Sequence, residues 1–475
     1  MFNLSAPHPY IPSKLNKLHL LLIPILLVGI LLRFYHLGTW SFWVDEVLTV
    51  LDAKRISMEQ FRINTIPYLA VKFSMSIAGE NEWGARLIPC IVGIVSILLV
   101  FMIGRSLFNQ RVGIFASTFV AFSSWHLLWS QNARHYIFTF FFGALAAWTF
   151  FLAMERNRLR YLVVSLGATI LLILIHMPSG LIVPAFAGYV VGFWRGKIFR
   201  EQPAGLRLGN LVIFFLPLGA PLLLLALPSF RDALFSGWGL NEWARSPFYI
   251  LFTVVHGLSV PAAVAAFFTA LTRPMNRGMW FLICYAGIPL ILLLIASQLL
   301  NVAGYYIFFT APAYFLLAAI GCDRIWAAKH NPIRLRCILP GVIIITMLSQ
   351  VYIYFHVENG GRAKWREAFS TIQSDMHAGD LVVASIPQVG EYYLRERETI
   401  ALEGVMEDID KFEQMWKSKG QRVWFVLDAA TLNVLDADDQ FQRRVRRQSR
   451  LIRTHPVSAR AKNRTINVYL ADFQK

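Results

Sequence analysis

Long uncharged runs dominate the first three quarters of the chain. The first covers 18–37, and others follow at roughly 86–107, 112–129, 136–154, 161–175, 180–194, 208–227, 248–271, 278–297, 305–320 and 337–356. About 20 consecutive apolar residues are enough to carry a helix across the hydrocarbon core, so the pattern predicts about 11 transmembrane helices. Pro178, Pro217 and Pro289 interrupt some of them, which neighbouring helices accommodate. The first run is longer than the core of a cleaved signal and no small-residue cleavage site follows it, so it reads as a retained first helix with the N-terminus inside.

Beyond His356 the period changes. The stretch 365–376 is amphipathic at helical spacing, Gly379-Asp380 marks a turn, and 381–386, 422–427 and 465–470 are strand-like, with a helical stretch near 408–417. Helices alternating with strands predict a small α/β domain. The expected fold class is therefore an all-α polytopic membrane protein, residues 1–356 with a first outer loop at 38–85, followed by an extracytoplasmic (periplasmic) α/β domain at 357–475. No internal repeat of the kind found in inverted-repeat transporters is evident.

Composition agrees. Of 475 residues 56% are apolar and 15% charged, with a mean hydropathy of +0.51, whereas a soluble chain carries about 25% charged residues. The four cysteines, Cys90, Cys284, Cys322 and Cys337, fall in apolar runs or on flanks assigned to the cytoplasm, and imply neither a disulfide framework nor a CxxC metal site. The formal charge of +17 resembles a nucleic-acid signal until it is divided: from Glu358 onward there are 19 basic and 17 acidic side chains, so the excess sits between the apolar runs. Loops predicted to be inside hold 17 Lys and Arg, and loops predicted to be outside hold seven, Lys54, Arg55, Arg62, Lys72, Arg134, Arg231 and Arg245. That asymmetry is the positive-inside rule. It places the protein in the cytoplasmic (inner) membrane with the C-terminal domain outside, and argues for membrane lipids rather than nucleic acid as surroundings.

Acidic residues concentrate where basic ones do not. The membrane region has only 11, and six of them, Asp45, Glu46, Asp52, Glu59, Glu80 and Glu82, lie in the first outer loop. Trp40, Phe42 and Trp43 beside them favour the headgroup level, and 44–61 and 66–77 read as amphipathic helices lying along the interface. Adjacent residues on a helix diverge by about 100 degrees, so one of Asp45 and Glu46 is expected to face a cavity while the other caps the helix or meets a cation. A partly desolvated carboxylate has its pKa raised toward the range of a useful general base. The alternative is that the pair only complements the helix dipole.

Ser130-Gln131-Asn132-Ala133-Arg134-His135-Tyr136 lies at the outer end of the third and fourth runs. Arg134 there suits bidentate binding of a phosphate, or simple headgroup anchoring. His176 reads as a satisfied polar residue or a ligand contact. Glu82 and Arg86 are spaced for a helical ion pair. His256 with Glu82 is the only zinc candidate outside the membrane core, without HxxH or CxxC spacing. The arginines at 443, 444, 446, 447, 450 and 453 form either a solvated helix face or a contact for anionic headgroups or a phosphorylated substrate.

Taken together, Leu32-Arg33-Phe34-Tyr35-His36-Leu37 leading to Asp45-Glu46, Ile66-Pro67-Tyr68, the run from Glu82 to Pro89, Ser130 to Tyr136, and Trp365-Arg366 ahead of Gly379-Asp380 resemble the protein mannosyltransferase-like branch of the GT-C glycosyltransferases (glycosyltransferase family 39, aminoarabinose-transferase-like). The resemblance implies an inverting enzyme that transfers a hexosyl or pentosyl group from a polyprenyl-phosphate sugar donor to a hydroxyl of a protein, lipid or glycan acceptor on the outer side. By position it implies Asp45 as catalytic base with Glu46 beside it, Arg134 and Arg86 facing the donor phosphate, Glu82 orienting them, and His135, Tyr136, His176, Tyr305 and Tyr306 in the substrate-binding set. The chain departs from the family at Ile66-Pro67, where two prolines are common, and at Tyr305-Tyr306, where Arg-Tyr is common. No cofactor is required by such chemistry, and a divalent metal is left open. A lipid-linked polysaccharide ligase or polymerase would be expected to carry its polar loop late in the chain. A transporter would carry ionisable residues in mid-span.

Overall fold

The structure, a computed structural model, describes residues 17–56, 65–193, 199, 201–219, 246–273, 275–328, 332–395, 398–459 and 462–473. Helix α1 (Leu22–Phe34) continues a 3-10 turn at Lys17–Leu21. It is followed by α2 (Val44–Arg55), α3 (Thr65–Ala78), α4 (Glu82–Leu107), α5 (Gln110–Phe122), α6 (Ser124–Ser130), α7 (Tyr136–Arg156), α8 (Leu159–Ile175), α9 (Ile182–Val191) and α10 (Leu208–Gly219). Then come α11 (Pro247–Leu258), α12 (Val260–Leu271), α13 (Arg277–Ala296), α14 (Ala311–Ala327) and α15 (Ile333–His356).

Over the described residues, every predicted apolar run falls on a helix or a helix pair. Among the described residues five helices are long and apolar enough to cross a membrane, or up to seven when the bent pairs α5–α6 (63°) and α11–α12 (103°) each count as one span. Four further apolar helices have 10–17 residues, less than the roughly 20 that a full crossing needs, so length and composition do not reach the predicted eleven. The chain is nonetheless a multi-pass membrane protein.

Local chemistry starts and stops these helices. The side chains of Asn81, Asn109 and Asn276 accept hydrogen bonds from the backbone N–H groups of Gly84, Val112 and Met279, capping α4, α5 and α13, a contribution of about 1 kcal/mol each. The α11–α12 bend sits at Ser259, whose φ is 69°. Gly257, just before it, packs against Trp125: a Cβ there would lie 2.5 Å from the indole ring, so only glycine permits that approach.

After α15 the chain forms a five-stranded sheet in the order β2-β1-β3-β7-β4. Its strands are β1 (Leu381–Ala384), β2 (Ile400–Ala401), β3 (Arg422–Asp428), β4 (Arg450–His455) and β7 (Ile466–Asp472), with a short hairpin of β5 (Ser458–Ala459) and β6 (Lys462–Asn463) beside it. β1 pairs in parallel with β2 and β3, whereas β7 is antiparallel to β3 and β4. The predicted helix at 365–376 is α16 (Trp365–Asp375), and the helical stretch near 408–417 is Ile409–Ser418. The arginine cluster is divided between the helix Gln440–Gln448 and β4, and Arg444 is tied to Glu413 at 2.8 Å and to Asp410.

One apolar cluster fixes the first loop to the sheet. Phe42, Val47, Val50, Val71 and Ala133 pack into the same buried core as Trp365, Phe369, Val389, Trp424 and Val468. At about 1.5–3 kcal/mol for each large apolar side chain buried, this shared core holds α2 and α3 against the C-terminal region. Positions 57–64, with Glu59 and Arg62, lie outside the described residues, as do 220–227 of the seventh apolar run and the loop cations Lys14, Arg195, Lys197, Arg200, Arg231, Arg245 and Lys329.

Candidate active site

Asp45 and Glu46 occupy the first turn of α2 and face different worlds. Glu46 is fully buried, and its two oxygens take four hydrogen bonds. Oε1 accepts from Arg86 Nε (2.8 Å) and from the backbone N–H of Ala133 (2.9 Å), while Oε2 accepts from Arg86 Nη2 (2.8 Å) and Arg362 Nε (3.1 Å). Burial alone would raise its pKa, but the two guanidiniums outweigh that and hold the carboxyl down to about 2.

Arg86 is equally committed. Its remaining donors go to the carbonyl oxygens of Leu37 (3.0 Å), Trp40 (2.9 Å) and Ser41 (3.1 Å). A guanidinium has five N–H groups, and all five are used. The arrangement therefore departs from the sequence expectation for both residues: Arg86 has no donor left for a phosphate, and Glu46 no lone pair for a proton in transit. Glu82 departs as well. Rather than pairing with Arg86 or orienting Arg134, it accepts from Tyr393 Oη (2.9 Å) and forms an ion pair with Arg366 (3.2 Å).

Asp45 keeps about a third of its side chain exposed and stands 3.8 Å from Arg134 Nη2. Arg134 is steadied by Thr49 Oγ1 (3.0 Å), and its Nε, though buried, has no hydrogen-bond partner. Partial burial raises the Asp45 pKa; Arg134 opposes the rise and Glu46 adds to it. A cation at 3.8 Å steadies the carboxylate without meeting it in a close bidentate pair, so one oxygen is left to accept a proton.

The other predicted residues gather at the same place. His135 stacks on His176 (ring centroids 4.9 Å) and touches Tyr136 (4.1 Å); Tyr136 meets Tyr305 (5.0 Å), and His176 meets Tyr306 (5.1 Å). The Asp45 carboxylate acts electrostatically on Tyr305 and Tyr306. Tyr305 and Trp43 in turn line a cavity of ≈ 470 Å³. Its apolar wall includes Trp125, Leu128, Trp129 and Phe252, and its polar wall includes Asn132, Tyr249, Arg362, Lys462 and Arg464. His256 lines this cavity too, whereas Glu82 is engaged with Tyr393 and Arg366. Among the described residues no group of three or more His, Cys, Asp or Glu could hold a metal ion.

Sequence reasoning missed the interior scaffold. Arg362 donates to the carbonyl oxygens of Gly360 (2.8 Å) and Gln131 (2.6 Å) as well as to Glu46, and Tyr354 donates to Gln131 Oε1 (3.0 Å). Arg33 is fully buried and donates to the carbonyl oxygens of Val120 and Ala121 and to His126 Nδ1. An arginine inside an apolar run, such as Arg33, was the available signal. Nothing local marks Arg362, because Glu46 and Gln131, the partners that tie it to the site, are 316 and 231 positions away in sequence.

Comparison with known proteins follows the same lines. Residues 66–220 match the family described as Dolichyl-phosphate-mannose-protein mannosyltransferase, a span that includes Arg134 and His176 but begins after Asp45. A search of curated proteins finds no match. Among solved structures, ArnT from Cupriavidus metallidurans bound to undecaprenyl phosphate superposes with a TM-score of 0.61 at 16% identity, over 95% of this chain and 98% of that one. The same protein in the apo state gives 0.58 at 15% identity, over 94% and 97%. The Archaeoglobus fulgidus oligosaccharyltransferase in the apo form gives 0.58 at 14% identity, over 88% of this chain and 70% of that one. At such identities the likeness is one of fold. The chain has the GT-C fold of membrane glycosyltransferases over nearly its whole length.

Proposed function

We propose that the protein is an inverting membrane glycosyltransferase that takes a sugar from a polyprenyl-phosphate carrier and joins it to an acceptor hydroxyl on the outer side of the cytoplasmic membrane. The observation that carries this reading is the Asp45–Arg134 pair, a carboxylate with a raised pKa next to a cation, beside the Tyr305 wall of a cavity with both apolar and cationic sides. The fold shared with ArnT bound to undecaprenyl phosphate supports a lipid-phosphate donor.

In this mechanism Asp45 accepts the proton of the acceptor hydroxyl as its oxygen attacks the anomeric carbon, and the carrier phosphate departs from the opposite face. A phosphate leaving group needs no strong acid, so the protein's task is to position the hydroxyl, remove its proton and stabilise developing phosphate charge. Arg134 keeps Asp45 ionised and oriented. The apolar wall of the cavity suits the first units of a prenyl chain. The division into a membrane domain at 1–356 and an outer domain at 357–475 belongs to the same proposal.

The test is transfer by purified full-length protein from a panel of polyprenyl-phosphate hexoses and pentoses to envelope acceptors, with the anomeric configuration of the product read by NMR. Transfer with inversion is expected. Retention of configuration, or transfer only from nucleotide sugars, would overturn the reading.

A further inference from the structure

The cavity has a cationic side contributed by the C-terminal region, and neither the Asp45–Arg134 pair nor the Glu46 scaffold accounts for it. Lys462 lies on β6, and Arg464 follows it in the link to β7; both line the cavity together with Tyr249, Thr253 and His256 of α11. The Lys462 ammonium sits 5.8 Å over the Tyr249 ring. Arg464 is largely sequestered, and its buried Nε has no hydrogen-bond partner. Asp428 and Glu358 act on it only at a distance, and Arg362 repels it. Two further buried donors on the cavity wall, Trp125 Nε1 and Trp129 Nε1, also have no partner.

A sequestered guanidinium without an ion pair is costly unless an anion joins it. Burial, and then Arg464, push the Lys462 ammonium below its ordinary range; burial lowers Arg464 too, against Asp428 and with Arg362. Arg464 thus adds to the cost of the Lys462 charge, and Arg362 to that of Arg464; a dianion between Arg464 and Lys462 would offset both. Arg86 is fully engaged by Glu46 and backbone carbonyls, and Arg134 is held by Asp45 and Thr49, whereas Arg464 brings a buried, unpartnered donor to the cavity wall.

We propose that Arg464 and Lys462 of the C-terminal region form a phosphate-binding site facing the cavity, so that this region binds substrate rather than only covering the membrane helices. The proposal rests on the glycosyltransferase reading. Its ligand is a phosphate ester with two sources, the carrier phosphate of the donor or a phosphate group on the acceptor. Arg464 supplies a planar fork of donors for two phosphate oxygens, and Lys462 a point charge for the third.

The experiment is a binding titration of full-length protein with a short polyprenyl phosphate and with the matching neutral polyprenol, for wild type, Arg464→Gln, Arg464→Lys and Lys462→Gln, alongside KM for acceptor. Wild type is expected to prefer the phosphate at least tenfold, Arg464→Gln to remove most of that preference, and Arg464→Lys to restore part of it at unchanged melting temperature. If the preference survives in Arg464→Gln while KM for a phosphorylated acceptor rises about tenfold and that for its dephosphorylated form does not, the phosphate is the acceptor's. Full preference and unchanged KM in both neutral variants, with wild type active, overturn the site while leaving the transferase reading intact. A wild type that neither binds polyprenyl phosphate nor transfers sugar overturns both.

Discussion

Two neighbouring carboxylates on one helix turn show how differently a protein can use the same chemistry. Glu46 is sealed between Arg86 and Arg362, accepts four hydrogen bonds and is held acidic by two guanidiniums. Asp45, one residue earlier, is part exposed, faces one cation at 3.8 Å and is made less acidic by burial. The difference lies in the balance between desolvation and pairing. A buried charge that is fully paired becomes architecture, whereas a half-buried charge that is loosely paired stays available for proton transfer.

That contrast can be broken most directly at Asp45. Asp45→Asn is expected to cut transfer by about 10²–10⁴-fold, the usual contribution of a general base, with expression and melting temperature maintained. Because the folded pKa of Asp45 is raised, the fold favours its protonated form; ionisation at neutral pH therefore costs stability, and the neutral amide should melt no lower than wild type. Activity near wild type in this variant would remove Asp45 from the mechanism.

Glu46→Gln should do the reverse, destabilising the fold by about 3–5 kcal/mol because it strands buried guanidiniums. The sign of its pH dependence follows from its depressed pKa: the stability from Glu46 is complete above the ordinary carboxylate range and is lost as pH falls toward about 2. Thermal melts of wild type and Glu46→Gln from neutral to acid pH should therefore converge at the acid end.

A smaller effect is expected where the first loop meets the C-terminal region. Tyr393 Oη accepts from the backbone N–H of Phe42 (2.7 Å) and donates to Glu82. Tyr393→Phe leaves that N–H unpaired and should cost about 1–3 kcal/mol, read in the same melts, with kcat little changed. The finest test is the acid limb of the pH–rate profile. Arg134 lowers the Asp45 pKa against the rise due to burial, so Arg134→Gln should move the limb to higher pH, and an unmoved limb would separate Arg134 from Asp45.

The legible part of the molecule was its periodicity. Over the described residues the apolar runs each became a helix or a bent pair, and the stretches at 365–376, 381–386, 422–427 and 465–470 became α16, β1, β3 and β7, because burying every other residue or one helix stripe leaves a mark on consecutive positions. The crowding of acids into the first loop was legible for a related reason: ionised groups are expelled from hydrocarbon, so where they collect is conspicuous. Short pieces without a period, such as β2, β5 and β6, left no such mark.

Which acid does what was decided by tertiary structure. The sequence permitted an Arg86–Glu82 pair at helical spacing, yet Arg86 turned to Glu46, 40 residues away, because there it meets a carboxylate and three carbonyl oxygens in a sealed site. Arg362 reaches Glu46 across 316 positions, and Lys462 and Arg464 reach the cavity from the far end of the chain. Pattern along a chain reports the environment of each stretch, membrane or water, helix or strand. The partner of a buried charge depends on which donors arrive at the same point in space, and only the packed chain fixes that.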